Sequence, residues 1–300
     1  MKILICSDGM PRAENAIRFI AATAAACRAE ITLLGIIEHP SDEISLVDAL
    51  RRGAGILRDK HVPVETITRS GHPIEQIQKR TAEEQYDLVV IGAERKGGGP
   101  FAMSAKAYHL IKEIEPPVLV MIGRRAELKR VLICSGGHNY INRAVKLAGE
   151  IACKSPIRVT ILHVMPEPPA VYAELLERDQ DTRRVLASNT ALGRNLRAEK
   201  DLLEAMNVHA EMKLRHGLVV DEILAELREG DYDMVVTGSA PAGGALRTYI
   251  MGNVTSEIVN RADCAVLVVR GGGPAQEGSG QKGFFGRLLR VFSGSDENEN

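Results

Sequence analysis

One half of this chain repeats the other. The run KILICSDG at residues 2–9 returns as RVLICSGG at 130–137, an offset of 128. YDLVVIGA at 86–93 returns as YDMVVTGS at 232–239, an offset of 146, and VLV at 118–120 returns at 266–268, an offset of 148. Three matches in one order mean two copies of one domain. A length of 300 residues accommodates two domains of ordinary size. The expected domains are 1–124 and 129–270. The segment between them lacks a long Pro/Gly/Ser linker, so the halves are expected to pack together rather than hang on a tether.

Within each half, short β-branched runs alternate with helical patterns. First-half strands are expected at 2–7, 31–37, 63–68, 87–92 and 117–122, with helices near 11–28, 43–60, 73–84 and 101–114. Second-half strands are expected at 130–135, 157–164, 208–214, 233–238 and 264–270, with helices near 139–153, 171–206, 219–229 and 246–261. Ile17, Ile20, Ala21, Ala24 and Cys27 recur at helical spacing. The strand runs read as continuously apolar, the signature of parallel strands covered on both faces. Alternation of strand and helix then implies α/β layers with right-handed crossovers. The jump in offset from 128 to 146 places an insertion near 166–206, opened by Pro166, Pro168 and Pro169. It reads first as a tolerated surface insertion, with a lid or partner surface as the alternative.

Composition narrows the function classes. A net charge of -1 supplies no field to attract nucleic acid or an anionic membrane. Aromatic residues are 4% and Trp is absent, so the cores must be built from Ile, Leu, Val and Ala. Five Cys without a C-x-x-C pair do not make a disulfide framework, and Cys6 and Cys134 read as small buried thiols. A reduced cytosol fits that usage. Met1 leads straight into a strand, without a signal-peptide pattern, and no apolar run reaches the ~18 residues of a membrane span. The expected location is cytoplasmic.

In a parallel α/β sheet, ligands bind beyond the carboxyl ends of strands, where strand order reverses. The loop after the first strand is Ser7-Asp8-Gly9-Met10-Pro11. Gly9 permits a tight turn, Pro11 suits a first helical turn, and Asp8 offers an acceptor at the mouth. The loop after the fourth strand is Gly-rich in both halves: Gly92 with Gly97, Gly98 and Gly99, then Gly238 with Gly243 and Gly244. Such a turn feeding a helix presents backbone N–H groups to phosphate oxygens.

Enzyme motifs are sparse. The chain has no G-x-x-x-x-G-K-[ST] and no G-x-S-x-G, and its eight His are scattered. His163 reads as a satisfied structural histidine. Glu83-Glu84 and Asp221-Glu222 read as helix-surface charges. No metal site is expected.

After Arg270 the character changes. Residues 271–283 read as a flexible linker, followed at 284–300 by an amphipathic segment and an acidic end. If 284–292 is helical, Phe284, Phe285, Leu288, Leu289 and Phe292 share one face, flanked by Lys282, Arg287 and Arg290. The readings are a weak membrane-surface contact, docking into a partner's groove, or folding back on the domains.

KILICSDGM with its Ala-rich helix, the DLVVIG strand and the closing PVLV strand resemble the universal stress protein family. The resemblance covers about 1–122 and 130–270 and implies a tandem member. It implies two Rossmann-like domains of the adenine nucleotide α hydrolase type, each a five-stranded parallel sheet of order 3-2-1-4-5 with helices on both faces. It also implies pairing through the last strands, here an intrachain pseudo-dimer, and leaves open a further homodimer.

Family members that bind ATP resemble G-x2-G-x9-G-[S/T] after the fourth strand, with an Asp after the first contacting adenine. The first half keeps Asp8, Gly9 and Gly92 but carries Arg95, Ala105 and Lys106 at the later positions. Arg95 and Lys106 are candidate phosphate cations. The second half keeps Gly238 and, with one extra residue in the spacing, Gly252, followed by Asn253 for the Ser or Thr and by Thr255; it carries Pro241 for the second Gly and Gly136 at the Asp position, with Gly243 in its Gly-rich loop. The resemblance therefore implies two unequal, weakened clefts for ATP or another adenine nucleotide, with Mg only as its companion. The expected function is a non-catalytic regulator acting through a protein partner. The alternatives are a slow ATP- or AMP-handling enzyme in the same cleft and a nucleotide-free scaffold.

Overall fold

A computed structural model describes residues 1–93, 110–123, 125–138, 141–167, 178–239 and 253–270. Arg95, Lys106, Gly243, Gly252 and the tail 271–300 lie outside the described residues.

The first repeat runs β1 (Lys2–Ser7), α1 (Pro11–Ala26), β2 (Glu30–Ile37), α2 (Glu43–Asp59), β3 (Val64–Ser70), α3 (Pro73–Glu83), β4 (Leu88–Gly92) and β5 (Val118–Met121). Residues 110–113 are helical and lead into β5. The second repeat runs β6 (Arg130–Ser135), α4 (Asn142–Ala152), β7 (Arg158–Met165), α5 (Arg178–Ala187), α6 (Ala191–Glu204), β8 (Ala210–His216), α7 (Val219–Gly230), β9 (Met234–Ser239), α8 (Asn253–Arg261) and β10 (Ala265–Arg270).

Ten strands form one sheet in the order β3-β2-β1-β4-β5-β10-β9-β6-β7-β8. Each half is parallel and reads 3-2-1-4-5 in its own strand count. The halves meet where β5 and β10 pair antiparallel, with Val120 opposite Val266 and Leu119 opposite Leu267. Alternate residues of the inner strands feed two apolar layers. Ile3, Ile5 and Leu33 lie in one, Leu4, Cys6 and Leu34 in the other, and each layer continues across the β5–β10 join.

Local chemistry sets the helix ends. Pro11 opens α1, where its missing N–H costs no helical hydrogen bond. Arg28 then adopts φ +50, Arg28 N–H bonds Ala25 O at 3.1 Å, and Ala29 N–H bonds Ala24 O at 2.8 Å. That is a Schellman stop built without glycine. The matched ends of α2 and α6 repeat it at His61 and Asn207, with φ +59 and +58.

Two expectations are corrected. β3 is not a continuous apolar run; it is the outermost strand of its half, and Glu65, Thr66 and Thr68 alternate with half-buried residues. Charge and hydroxyl on an outer strand discourage pairing with another chain. The single long helix expected over 171–206 is interrupted at 188–190. Thr190 Oγ1 caps α6 by accepting Gly193 N–H at 3.1 Å, while Ser188 Oγ turns back to Val185 O at 2.8 Å. The inserted α5 packs on α6 and on β8.

The Tyr-Asp pair that opens the fourth-strand repeat is a structural clamp. Asp87 Oδ2 accepts Lys2 N–H at 2.7 Å, which ties β4 to the start of β1. Asp233 Oδ2 accepts both Lys129 N–H at 2.8 Å and Arg130 N–H at 2.9 Å, and its other oxygen meets Arg125 at 3.1 Å. The short join between repeats is therefore fastened to the second repeat through one buried carboxylate. Among the described residues, no helix is long and apolar enough to cross a membrane.

Candidate functional site

Strand order reverses at β1 in the first repeat and at β6 in the second, so one cleft opens above each. In the first, Ser7 ends β1 and is buried, and its Oγ accepts Gly9 N–H at 3.2 Å. Gly9 has φ +79, and a Cβ there would stand 3.2 Å from Leu46 Cα. Asp8 Oδ1 accepts Met10 N–H at 3.1 Å, closing an Asx turn, and Oδ2 pairs with the Arg12 guanidinium. The carboxylate predicted to meet adenine thus already carries two partners. It keeps about a third of its side-chain surface in water (34%). Gly92 ends β4, where a Cβ would lie 2.9 Å from the Arg12 carbonyl carbon and oxygen. Its absent side chain lets α1 approach the sheet.

The second cleft is built differently. Gly136 leaves the carboxylate position empty of a side chain, and Gly137, at φ +73, takes the turn. A Cβ on Gly137 would meet Leu192 Cδ1 at 2.5 Å and His163 Cε1 at 3.3 Å. Asn195 Nδ2 donates to Gly137 O at 2.7 Å. Beneath this turn, Ser135 Oγ accepts Gly137 N–H at 3.0 Å and donates to Glu199 Oε1 at 2.8 Å.

Glu199 is 1% exposed, and its Oε2 has no hydrogen-bond partner. Burial pushes its carboxyl up to about 7, against a modest pull from the Ser135 hydroxyl. Glu226, also buried, shows the contrast. Against the upward push of burial, Lys213, Tyr232 and Arg215 together hold it below the usual carboxylate range.

His163 sits on β7, opposite Ser135 on β6. Its Nδ1–H donates to Ser135 O at 2.8 Å, and burial holds its pKa below the ordinary value. It is a satisfied structural histidine, as its place on a strand suggested. Gly238 is the second-to-last residue of β9, the neighbour of the switch strand, and a Cβ there would meet Ile141 Cδ1 at 2.5 Å. Asn253 is exposed at the first position of α8. Thr255 is buried, with its hydroxyl 3.1 Å from that of Thr237, a bond that fastens α8 to β9.

In the first repeat Asp8 and Gly92 both lie against Arg12, with Gly9 between Asp8 and α1; in the second, Gly238 lies against Ile141 and Thr255 against Thr237, with Asn253 exposed at the start of α8. Sequence reasoning missed Glu199. The signal was available: Leu192, Leu196, Glu199 and Leu203 fall on one helical stripe, so Glu199 occupies an apolar position of α6. Its counterpart in α2 is Gly53, where a Cβ would strike Ile17 Cδ1 at 2.5 Å. Chemically, the Ser135 hydroxyl is directed to a buried carboxyl and away from the His163 ring. Among the described residues, no group of three or more His, Cys, Asp or Glu is arranged to hold a metal ion.

Comparison with known proteins agrees with this fold. No curated protein sequence matches the chain. Among solved structures, a universal stress protein from Archaeoglobus fulgidus superposes with a TM-score of 0.69 at 18% identity, covering 90% of this chain and 98% of that one. A functionally unknown protein from Pseudomonas aeruginosa superposes with a TM-score of 0.65 at 15% identity, covering 90% and 92%. These likenesses concern the fold. The universal stress protein family itself matches twice in sequence, over residues 1–121 and again over 127–270. With both repeats matched and the ten-stranded sheet in place, the chain belongs to the universal stress protein family as a tandem two-domain member.

Proposed function

We propose that this chain is a non-catalytic cytoplasmic regulator whose two clefts respond unequally to adenine nucleotide and whose output is contact with a protein partner. The observation that carries this reading is the different use of the same site in the two repeats. The first presents a half-exposed carboxylate, Asp8, held by a replaceable surface pair with Arg12. The second has Gly136 in that place and buries a poorly satisfied Glu199 directly below. Among the described residues, a ligand that needs a carboxylate acceptor at the mouth finds one in the first cleft. Displacing Arg12 from Asp8 costs little, because half-exposed ion pairs contribute about 0–1 kcal/mol.

Titration calorimetry of the intact protein with ATP and AMP, with Mg present, tests this reading. The expected result is one weak site, with Kd about 0.1–1 mM, a binding free energy of roughly −4 to −5.5 kcal/mol. Asp8→Ala removes its heat. Phosphate release stays at the buffer rate. Measurable turnover abolished by Asp8→Ala would replace the regulator with an ATP-handling enzyme. No heat at millimolar ATP would leave a nucleotide-free scaffold.

A further inference from the structure

α1 and α4 are the equivalent helices of the two repeats, and each ends on a cysteine, Cys27 and Cys153. Cys27 Sγ lies 3.6 Å from the carbonyl oxygen of Glu150 and 4.0 Å from that of Ile151. Cys153 Sγ lies 3.4 Å from the same Glu150 oxygen. Two thiols from opposite repeats thus share one acceptor. Both are half-exposed.

Of the other three thiols, Cys6 and Cys264 are buried and Cys134 is half-exposed. Burial pushes Cys6 and Cys134 far above the usual thiol range and Cys264 up to about 12, so they stay protonated. Burial, and then the neighbouring Cys153 thiol, also raise Cys27, but the Met1 ammonium and Lys154 pull the other way. Cys153 further lines an open cavity of about 700 Å³ at the amino-terminal edge of the second repeat's sheet, beside Arg130 and Arg158. A small solute can reach its sulfur from water.

We propose that Cys27 and Cys153 form a redox-modification site, at which a hydroperoxide closes a disulfide across the two repeats. Cys153 loses its proton and its sulfur attacks one peroxide oxygen. The O–O bond breaks, an S–O bond forms, and the departing hydroxide takes a proton to leave as water (as an alcohol from an organic hydroperoxide). Cys153 is then a sulfenic acid. The Cys27 sulfur attacks it; the S–O bond breaks, the S–S bond forms, and hydroxide leaves with the Cys27 proton as water. Two thiols are oxidised by two electrons while one O–O bond is reduced. The product ties together the carboxyl ends of α1 and α4, the helices that follow the two cleft turns. It closes a loop that contains most of the first repeat, which constrains the unfolded chain.

The test is peptide mapping of the intact protein after graded hydrogen peroxide, acid quench and alkylation of remaining thiols. The expected product is a linked peptide pair holding Cys27 and Cys153, lighter by two hydrogens, reversed by dithiothreitol, and accompanied by a higher denaturation midpoint. In Cys27→Ser the link is lost, and dimedone traps the sulfenic acid on Cys153. The proposal is overturned if both thiols remain alkylated in the wild-type protein at peroxide levels that oxidise its exposed methionines. It is equally overturned if the link joins either cysteine to Cys6, Cys134, Cys264 or a second chain. The wild-type map decides the matter even if a serine variant folds poorly.

Discussion

Ser135 donates its hydroxyl to Glu199 at 2.8 Å, and the second carboxyl oxygen of Glu199 receives nothing. The bond joins the end of β6 to the middle of α6, under the turn that forms the mouth of the second cleft. A carboxyl so placed favours its neutral form, and the fold carries the consequence as a pH dependence.

The first prediction concerns that carboxyl. Its folded pKa, about 7, stands above the ordinary 4.5. A raised carboxyl pKa means that the folded state holds its proton where the unfolded state has released it. The contribution is fully present below about pH 4.5 and is lost as pH rises through about 7. Glu199→Gln keeps the shape and an acceptor for Ser135 but removes the titration. It should match the wild type at pH 4.5 and exceed it by about 2–3 kcal/mol at pH 8. Urea denaturation at the two pH values measures this. An equal effect at both would mean that Glu199 is not the titrating group.

The second prediction separates the two Tyr-Asp clamps. Asp233 is buried, accepts two backbone N–H groups and meets Arg125; Asp87 is exposed and accepts one. Taking the buried acceptor from three part-buried donors costs about 1–3 kcal/mol in all, whereas the exposed Lys2 N–H turns to water. Asp233→Ala should therefore cost about 3 kcal/mol and Asp87→Ala about 1 kcal/mol or less. Chemical denaturation of both variants checks the ranking, which fails if the two costs are equal.

Much of this architecture was legible in the sequence, for a physical reason. Strands buried on both faces need continuous apolar runs, and KILICS, LVVIG and VLVM supply them twice. The repeat fixed the strand count and the switch points, hence the place of Asp8 and Gly92. What escaped were features set by tertiary environment. Glu199 looks like any helical glutamate until α6 is laid against β6. β3 lies at the edge of the sheet among the described residues, a place that the repeat count alone does not give. The split between α5 and α6 hinges on a single cap, Thr190, inside a polar helical pattern. The closeness of Cys27 and Cys153, far apart in sequence, depends on how the repeats face each other across β5 and β10.

The third prediction concerns the cleft turns. Gly137 and Gly9 both have positive φ, so any side chain is strained at either, but their surroundings differ. At Gly137 a Cβ meets Leu192 at 2.5 Å; at Gly9 the nearest atom is Leu46 Cα at 3.2 Å. Gly9→Ala should cost about 1–2 kcal/mol, the left-handed penalty. Gly137→Ala should cost about 1 kcal/mol more, because Leu192 must also leave its rotamer. Thermal denaturation of the two variants compares them. Leu192→Ala added to Gly137→Ala should recover part of the excess and give no comparable relief to Gly9→Ala.

The fourth prediction follows from the antiparallel join. β5 is covered along one edge by β4 and along the other by β10, with Val118, Leu119 and Val120 opposite Val268, Leu267 and Val266. The first repeat produced alone would leave that second edge with unpaired N–H and C=O groups beside a buried apolar strand. Such an edge recruits another chain. The available partner is the same edge of a second copy, and an antiparallel β5–β5 pair closes with two-fold symmetry. Residues 1–124 should therefore sediment as a dimer. Val120→Pro removes a donor on the edge that faces β10, since Pro117 and Met121 turn their carbonyls to β4 and the strand alternates, so it should shift the fragment toward monomer. In the full-length chain the same substitution should weaken the join without changing the sedimenting mass, because the two repeats remain covalently connected. A fragment that sediments as a stable monomer would show that the β5 edge does not drive the association of the repeats.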